Sequence, residues 1–264
     1  PSDERGGAGM STAHTNTDIQ RPFEQYFRQN RLPHLWCPGC GNGTALKCIA
    51  EAIEGMEGFS QDNTVIVSGI GCSSRGSGYM DFDTVHTAHG RAIPFATGIK
   101  LARPELNVIV ITGDGDCTAI GGNHFLHGCR RNVDLTVVLF NNNIYGMTGG
   151  QMAPTTLVGM PTATCPHGRD VGLNGYPLRI GNILAQLDGT CLVTRQSVQT
   201  PAAAKKAKKM LRLAFENSMA RKGTSVVEFV STCSSGWKKT PVESNKWMEE
   251  HMFPFYPLGD LKNV

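Results

Sequence analysis

The chain has 264 residues, a formal net charge of +3 and nine cysteines. Its length suits one large α/β domain, its charge is too small for the basic stripe of a nucleic-acid binder, and no run reaches the ~18 apolar residues of a membrane span or the core of a signal peptide. A cytoplasmic protein is expected, with thiols kept for metal or for the core, because an odd cysteine count without an export signal does not suit a disulfide framework.

Pro1 to Gln20 is rich in Gly, Ser, Thr and charge and reads as a flexible leader, apart from a body over 21–230. After Gly43, the residues Ala45, Leu46, Ile49, Ala50, Ile53 and Met56 share one helical face. Four β-branched runs follow, Thr64 to Ile70, Asn107 to Thr112, Asp134 to Phe140 and Thr224 to Val230, with the low charge of strands buried on both sides. Helix-like stretches over 91–103, 119–131, 178–187 and 202–221 are set among them. The alternation predicts an α/β fold, a doubly wound, mostly parallel sheet with helices on both faces, and ligands at the carboxyl ends of its strands. Residues 141–175, rich in Gly, Pro, Thr and Met, read as a functional loop. The stretch 231–264 reads as an aromatic arm without helical or strand period, of the kind that packs on a neighbour.

The run NVIVIT leads directly into Gly113-Asp114-Gly115-Asp116, and DLTVVLF leads into Asn141-Asn142-Asn143-Ile144-Tyr145. A right-handed crossover makes two such strand ends neighbours. Magnesium takes about six oxygens, with one or two protein carboxylates and the rest from phosphates and water. Asp114, the Asn142 amide oxygen and the Ile144 carbonyl match that preference. Gly113 and Gly115 let the backbone approach a diphosphate, and a helix starting nearby directs N–H groups at the same anion. Alone, GDG would be read as an ordinary turn; the paired asparagines at this register make it a cofactor site.

Cys37-Pro38-Gly39-Cys40 precedes the first helix, and Cys72 ends the TVIVSGI strand in Gly69-Ile70-Gly71-Cys72. Two residues between thiolates let both face one metal centre, so zinc and an iron–sulfur cluster both fit the spacing. A thioredoxin-like pair fits less well, because no buried strand precedes it. The position of Cys72 on the edge expected to bind diphosphate favours a redox cluster. Cys48, Cys129 and Cys191 read as core thiols.

The string from Gly113 through GDGDCTAIGGNHFLHGCRRN to NNNIYGMTGGQMAPTT, together with CPGCG and GIGC, closely resembles the β subunit of 2-oxoacid:ferredoxin oxidoreductases, nearest to the 2-oxoglutarate type. The resemblance implies a thiamine-diphosphate-binding domain, with magnesium held by Asp114, Asn142 and Ile144. It implies diphosphate contacts from the backbone of Gly115, Asp116 and Cys117 and from the Tyr145, Gly146, Met147 and Thr148 turn. It also implies a 4Fe–4S cluster on Cys37, Cys40, Cys72 and, by position, Cys233, with Cys165 as the competitor for the fourth place. His89, in a stretch similar to the family's HGRA, is expected at the cofactor or substrate. Arg75 is expected to take the distal carboxylate of a dicarboxylic 2-oxoacid.

The implied reaction is decarboxylation of the 2-oxoacid with coenzyme A, electrons passing to ferredoxin, or the reverse. Pyruvate or a branched-chain oxoacid is the alternative substrate, and a zinc-stabilised non-catalytic subunit or a non-redox thiamine-diphosphate subunit the alternative role. The family takes the glutamate that activates the aminopyrimidine from an α subunit, so a heterotetramer is expected. His124 and His127, three apart on a helix, are expected to pack rather than bind metal. The Lys205 to Lys209 run is expected to be a solvated face, or a surface that steers an acidic ferredoxin.

Overall fold

A computed structural model describes residues 21–264, so the expected leader over 1–20 lies outside the described residues. The strands in chain order are β1 (Thr64–Ser68), β2 (Asp83–His86), β3 (Asn107–Gly113), β4 (Thr136–Asn141), β5 (Ile144–Tyr145), β6 (Gln151–Met152), β7 (Thr190–Gln196), β8 (Thr224–Val230) and β9 (Gly259–Asn263). Seven form one sheet in the order β2-β1-β3-β4-β8-β7-β9, all parallel except β9, which runs antiparallel to β7. The pair β5 and β6 makes a small hairpin.

Alternation within the strands builds two cores. Ile66, Ile109, Ile111, Val138, Phe140, Val227 and Phe229 face the helices Asn42–Ile53 and Pro201–Met219. Their neighbours Val65, Val67, Val108, Val110, Val137, Leu139 and Val226 face Ala92–Ala102, Gly122–Arg130 and Ile180–Leu184. Each such side chain withdrawn from water contributes roughly 1.5–3 kcal/mol. The doubly wound reading therefore holds, and both faces of the sheet are covered.

Three strands of the large sheet were not expected, nor was the β5–β6 hairpin within the 141–175 loop. β2 is short and only half-buried, β9 carries the charges of an edge strand, and β7 reads TCLVTRQ, whose polar groups are buried yet partnered. The helix expected over 178–187 contracts to Ile180–Leu184. The one expected over 119–131 begins earlier, as a wide π turn at Gly115–Ile120 that continues into Gly122–Arg130. The arm is also corrected. Its helix Pro241–Trp247 starts at a capping box, in which Thr240 and Glu243 satisfy each other's backbone N–H groups. Trp237, Met248, Met252 and Tyr256 pack on Ile144, Leu157, Met160 and Val230 of the same chain.

Candidate active site

Four adjacent parallel strands, β1, β3, β4 and β8, deliver their carboxyl ends to one edge, and the residues leaving them include Cys72, Asp114, Asn142 and Cys233 respectively. The strands are in register there, with Gly113 opposite Phe140 and Asn141 opposite Val230. Two cavities with shared lining residues open at this edge.

The first, of about 110 Å³, is lined by Gly113, Asp114, Gly115, Asp116, Asn142, Ile144 and the turn from Tyr145 to Thr148, with His89 at its side. Asp114 is buried. One carboxylate oxygen accepts from the Gly115 N–H at 2.8 Å, the other from the Thr155 hydroxyl at 2.5 Å. Burial pushes its pKa up to about 6 against the pull of these bonds, as happens to a desolvated carboxylate without a countercharge. Its remaining lone pairs, the Asn142 amide and the Ile144 carbonyl form the oxygen-rich donor set that a hard divalent cation takes. A Cβ at Gly115 would lie 2.2 Å from the Tyr145 ring, so only glycine lets this turn close beneath the tyrosine, whose hydroxyl donates to the Gly115 carbonyl at 3.1 Å.

Asp116 has a structural task that its place in the motif did not reveal. Its carboxylate accepts from Nδ1 of His89 at 2.6 Å, from the N–H groups of Gly90 at 2.7 Å and Ile70 at 3.3 Å, and from the Thr112 hydroxyl at 2.7 Å. Because a carboxylate accepts only, Nδ1 of His89 carries the proton and Nε2 is left available at the cavity. The Cys117 thiol is buried in the helix-side core and does not line the cavity, and desolvation holds its pKa well above the ordinary value. Only its backbone remains at the turn.

The second cavity, of about 240 Å³, is lined by all four expected cysteines, Cys37, Cys40, Cys72 and Cys233, together with Arg75. Cys72, Asn142, Gly146 and Met147 line both cavities. Burial pushes the Cys40 thiol up to about 11 and the Cys233 thiol up to about 12, and neighbouring cysteines of the set add to the rise in each. Four thiolates so placed repel one another unless positive metal lies among them. Two backbone N–H groups answer that charge, Asn42 toward Cys40 and Gly236 toward Cys233. Among the described residues no three His, Cys, Asp or Glu side chains close on a single ion; the four cysteines line one cavity. Cys165 is elsewhere, its thiol 2.9 Å from the Gly168 carbonyl within the 141–175 loop. Cys48, Cys129 and Cys191 are buried, in keeping with core thiols. Arg75 is exposed and, among the described residues, has no ion-pair or hydrogen-bond partner for its guanidinium. It lines the cysteine cavity and not the first one. His127 accepts from Arg130 at 3.3 Å.

Behind the first cavity lies a buried network that motif reading missed. Arg195 on β7 and Glu228 on β8 pair at 2.9 Å with both side chains wholly inaccessible. The second Glu228 oxygen accepts from Asn141 Nδ2 at 2.8 Å, and Asn141 Oδ1 accepts from the backbone and side chain of Asn143 at 3.3 Å each. Asn143 donates to the Thr155 carbonyl at 2.5 Å, and Tyr256 of the arm donates to that same carbonyl at 2.6 Å. Asn143 has φ +60, the left-handed conformation that turns the chain and presents Asn142 and Ile144 to the cavity. The available signal was a single glutamate in the middle of an apolar strand, TSVVEFV.

The family model for the thiamine pyrophosphate enzyme C-terminal TPP-binding domain matches residues 69–229. A 2-oxoglutarate synthase subunit KorB from Archaeoglobus fulgidus is 48% identical over 233 residues, 88% of this chain and 82% of that protein. The chain belongs to the β-subunit family of the 2-oxoacid:ferredoxin oxidoreductases. Within that family, a 2-oxoacid:ferredoxin oxidoreductase 2 subunit beta from Aeropyrum pernix is 37% identical, over 83% of this chain and 65% of its own. A solved 2-oxoglutarate:ferredoxin oxidoreductase from Magnetococcus marinus, holding 2-oxoglutarate, coenzyme A and succinyl-CoA, superposes with a TM-score of 0.74. It is 32% identical, over 88% of this chain and 74% of that one. The parallel edge bearing Asp114 and Asn142 lies within the segment that the TPP-binding domain model matches, at the strand ends where the alternation in the sequence put it.

Proposed function

We propose that this chain is the β subunit of a cytoplasmic 2-oxoglutarate:ferredoxin oxidoreductase. It oxidatively decarboxylates 2-oxoglutarate with coenzyme A to succinyl-CoA and CO2, or runs the reverse carboxylation. The observation that carries the reading is the convergence of Cys72, Asp114, Asn142 and Cys233 from four neighbouring strand ends onto two cavities with a common wall.

Asp114, Asn142 and the Ile144 carbonyl would hold magnesium, and Gly115 to Cys117 and Tyr145 to Thr148 would hold the diphosphate through backbone N–H groups. Cys37, Cys40, Cys72 and Cys233 would hold a 4Fe–4S cluster. When bound, thiamine diphosphate would supply a nucleophilic carbon for the 2-oxo group and a sink for the electron pair left behind as CO2 departs, and the cluster would supply a one-electron relay. His89, oriented by Asp116, presents Nε2 to the cavity and can exchange a proton there. Arg75, with its guanidinium unpaired, is suited to a substrate carboxylate reaching across the Cys72 wall. The body over 21–230 and the arm over 231–264 act together, because the arm carries Cys233 and Tyr256. An α subunit would cover the first cavity and contribute the pyrimidine-activating glutamate, in a heterotetramer.

Anaerobic co-expression with the partner subunit tests this. A brown complex with about four irons per chain is expected, reducing a viologen dye only when 2-oxoglutarate and coenzyme A are both added. Colourless protein carrying zinc, or decarboxylation without dye reduction, would overturn it.

A further inference from the structure

The cluster cavity has a face that the active site does not use. Of the four cysteines lining it only Cys37 is exposed; Cys40, Cys72 and Cys233 are half-buried. The chain around Cys37 is exposed from Arg31 to Gly39 except for Trp36, and Leu35 retains 76% of its accessible surface. The start of the arm adjoins this loop. Ser234 donates to the Pro38 carbonyl at 2.8 Å, Thr232 donates to the Gly39 carbonyl, and a Cβ at Gly39 would lie 2.5 Å from Pro241. The turn at Lys238 and Lys239 precedes Pro241, and the next residue, Val242, is 79% exposed.

Cations outnumber carboxylates in the segments that build this face. Residues 25–50 and 229–242 contain no Asp or Glu, and they contain Arg28, Arg31, Lys47, Lys238 and Lys239. Arg28 is paired with Asp81 and Lys47 with Glu51, whereas Arg31, Lys238 and Lys239 form no ion pair among the described residues. Glu243, which accepts from Thr240, is the carboxylate whose charge Lys239 offsets. An apolar centre of Leu35, Pro38 and Val242 inside a cationic rim is the anatomy of a small transient interface. Electron transfer weakens steeply with distance, so an acceptor must sit over the sulfur that reaches the surface.

We infer that the loop Cys37–Gly39 and the Lys238–Lys239 turn form the docking face for a small acidic electron-carrier protein, taking over from the Lys205–Lys209 run as the steering surface. The run lies on the helix Pro201–Met219, which packs on Asn42–Ile53, and its Lys208 is paired with Glu51 at 3.5 Å. This inference rests on the proposed function and names where its electrons leave.

The test uses the assembled holoenzyme with an acidic ferredoxin and, separately, a viologen dye. The double variant K238E/K239E is expected to raise KM for ferredoxin at least ~10-fold at low salt and to abolish its salt dependence, because rim charges act on encounter. Its dye reduction and iron content should stay at the unmodified level, and K205E/K206E should change the ferredoxin KM less than about twofold. A ferredoxin KM unmoved in K238E/K239E, or moved instead in K205E/K206E, would overturn the docking face. Loss of substrate-dependent dye reduction in the unmodified complex would overturn the functional reading itself.

Discussion

The two cavities share a wall and are held in different ways. Around Asp114 almost every polar group already has a partner: Thr155, Gly115, Asn143, Glu228 and Arg195 form a continuous network that fixes the loops from inside. Around the cysteines the thiols are raised by burial and by one another, and two backbone N–H groups are the main answer to that charge. The first region is therefore organised before its ligand arrives, and the second is completed by its ligand. Preorganisation of this kind places oxygens accurately for a cation that demands octahedral geometry, whereas a sulfur-bound cluster contributes its binding energy to folding.

That contrast can be broken most severely at Cys233. Cys233→Ser is expected to remove the cluster and abolish ferredoxin reduction while thiamine diphosphate still binds, as iron analysis and a cofactor titration would read. Cys165→Ser should leave iron unchanged; iron lost in Cys165→Ser and kept in Cys233→Ser would reassign the fourth ligand. Next, Asp114→Asn is expected to lower turnover on the order of 10³-fold, since a metal contributes several kcal/mol of charge stabilisation, with the cluster's absorbance intact. Loss of both cofactors together would show that the regions are not independent. The smallest effect on the chemistry is expected at Glu228. Glu228→Gln should weaken magnesium-dependent cofactor binding ~10- to 100-fold, the usual effect of losing an outer-shell partner. It should also destabilise the fold by about 3–5 kcal/mol, because Arg195 is left buried without a countercharge. Adding Arg195→Met should restore the melting temperature but not the affinity; recovery of both would reduce the network to a stability element.

The readable parts of the molecule are those whose physics is local. The strands of β1, β3, β4 and β8 declared themselves by β-branched runs, and Asp114 and Asn142 by lying directly after two of them. What escaped depended on partners distant in the chain. β7 did not read as a strand because Thr194, Arg195 and Gln196 are buried polar residues, made tolerable by Asp260, Glu228 and one another. Asp116 looked like part of a phosphate-binding turn, and only the approach of His89, Gly90 and Ile70 from other segments shows its carboxylate to be a junction. The arm's helix was within reach, since T-P-V-E is a capping box. It was obscured because the apolar residues after it step at a π spacing over Met248–Met252 rather than at helical period.

The partition between the two cavities is a single layer of residues. At Gly146 a methyl group would come within 3.0 Å of the Cys233 sulfur and 3.7 Å of the Cys72 sulfur, while the same residue lines the Asp114 cavity. Room gained by either compartment through this wall is therefore room lost by the other. The two spaces are mechanically coupled through a residue with no side chain at all.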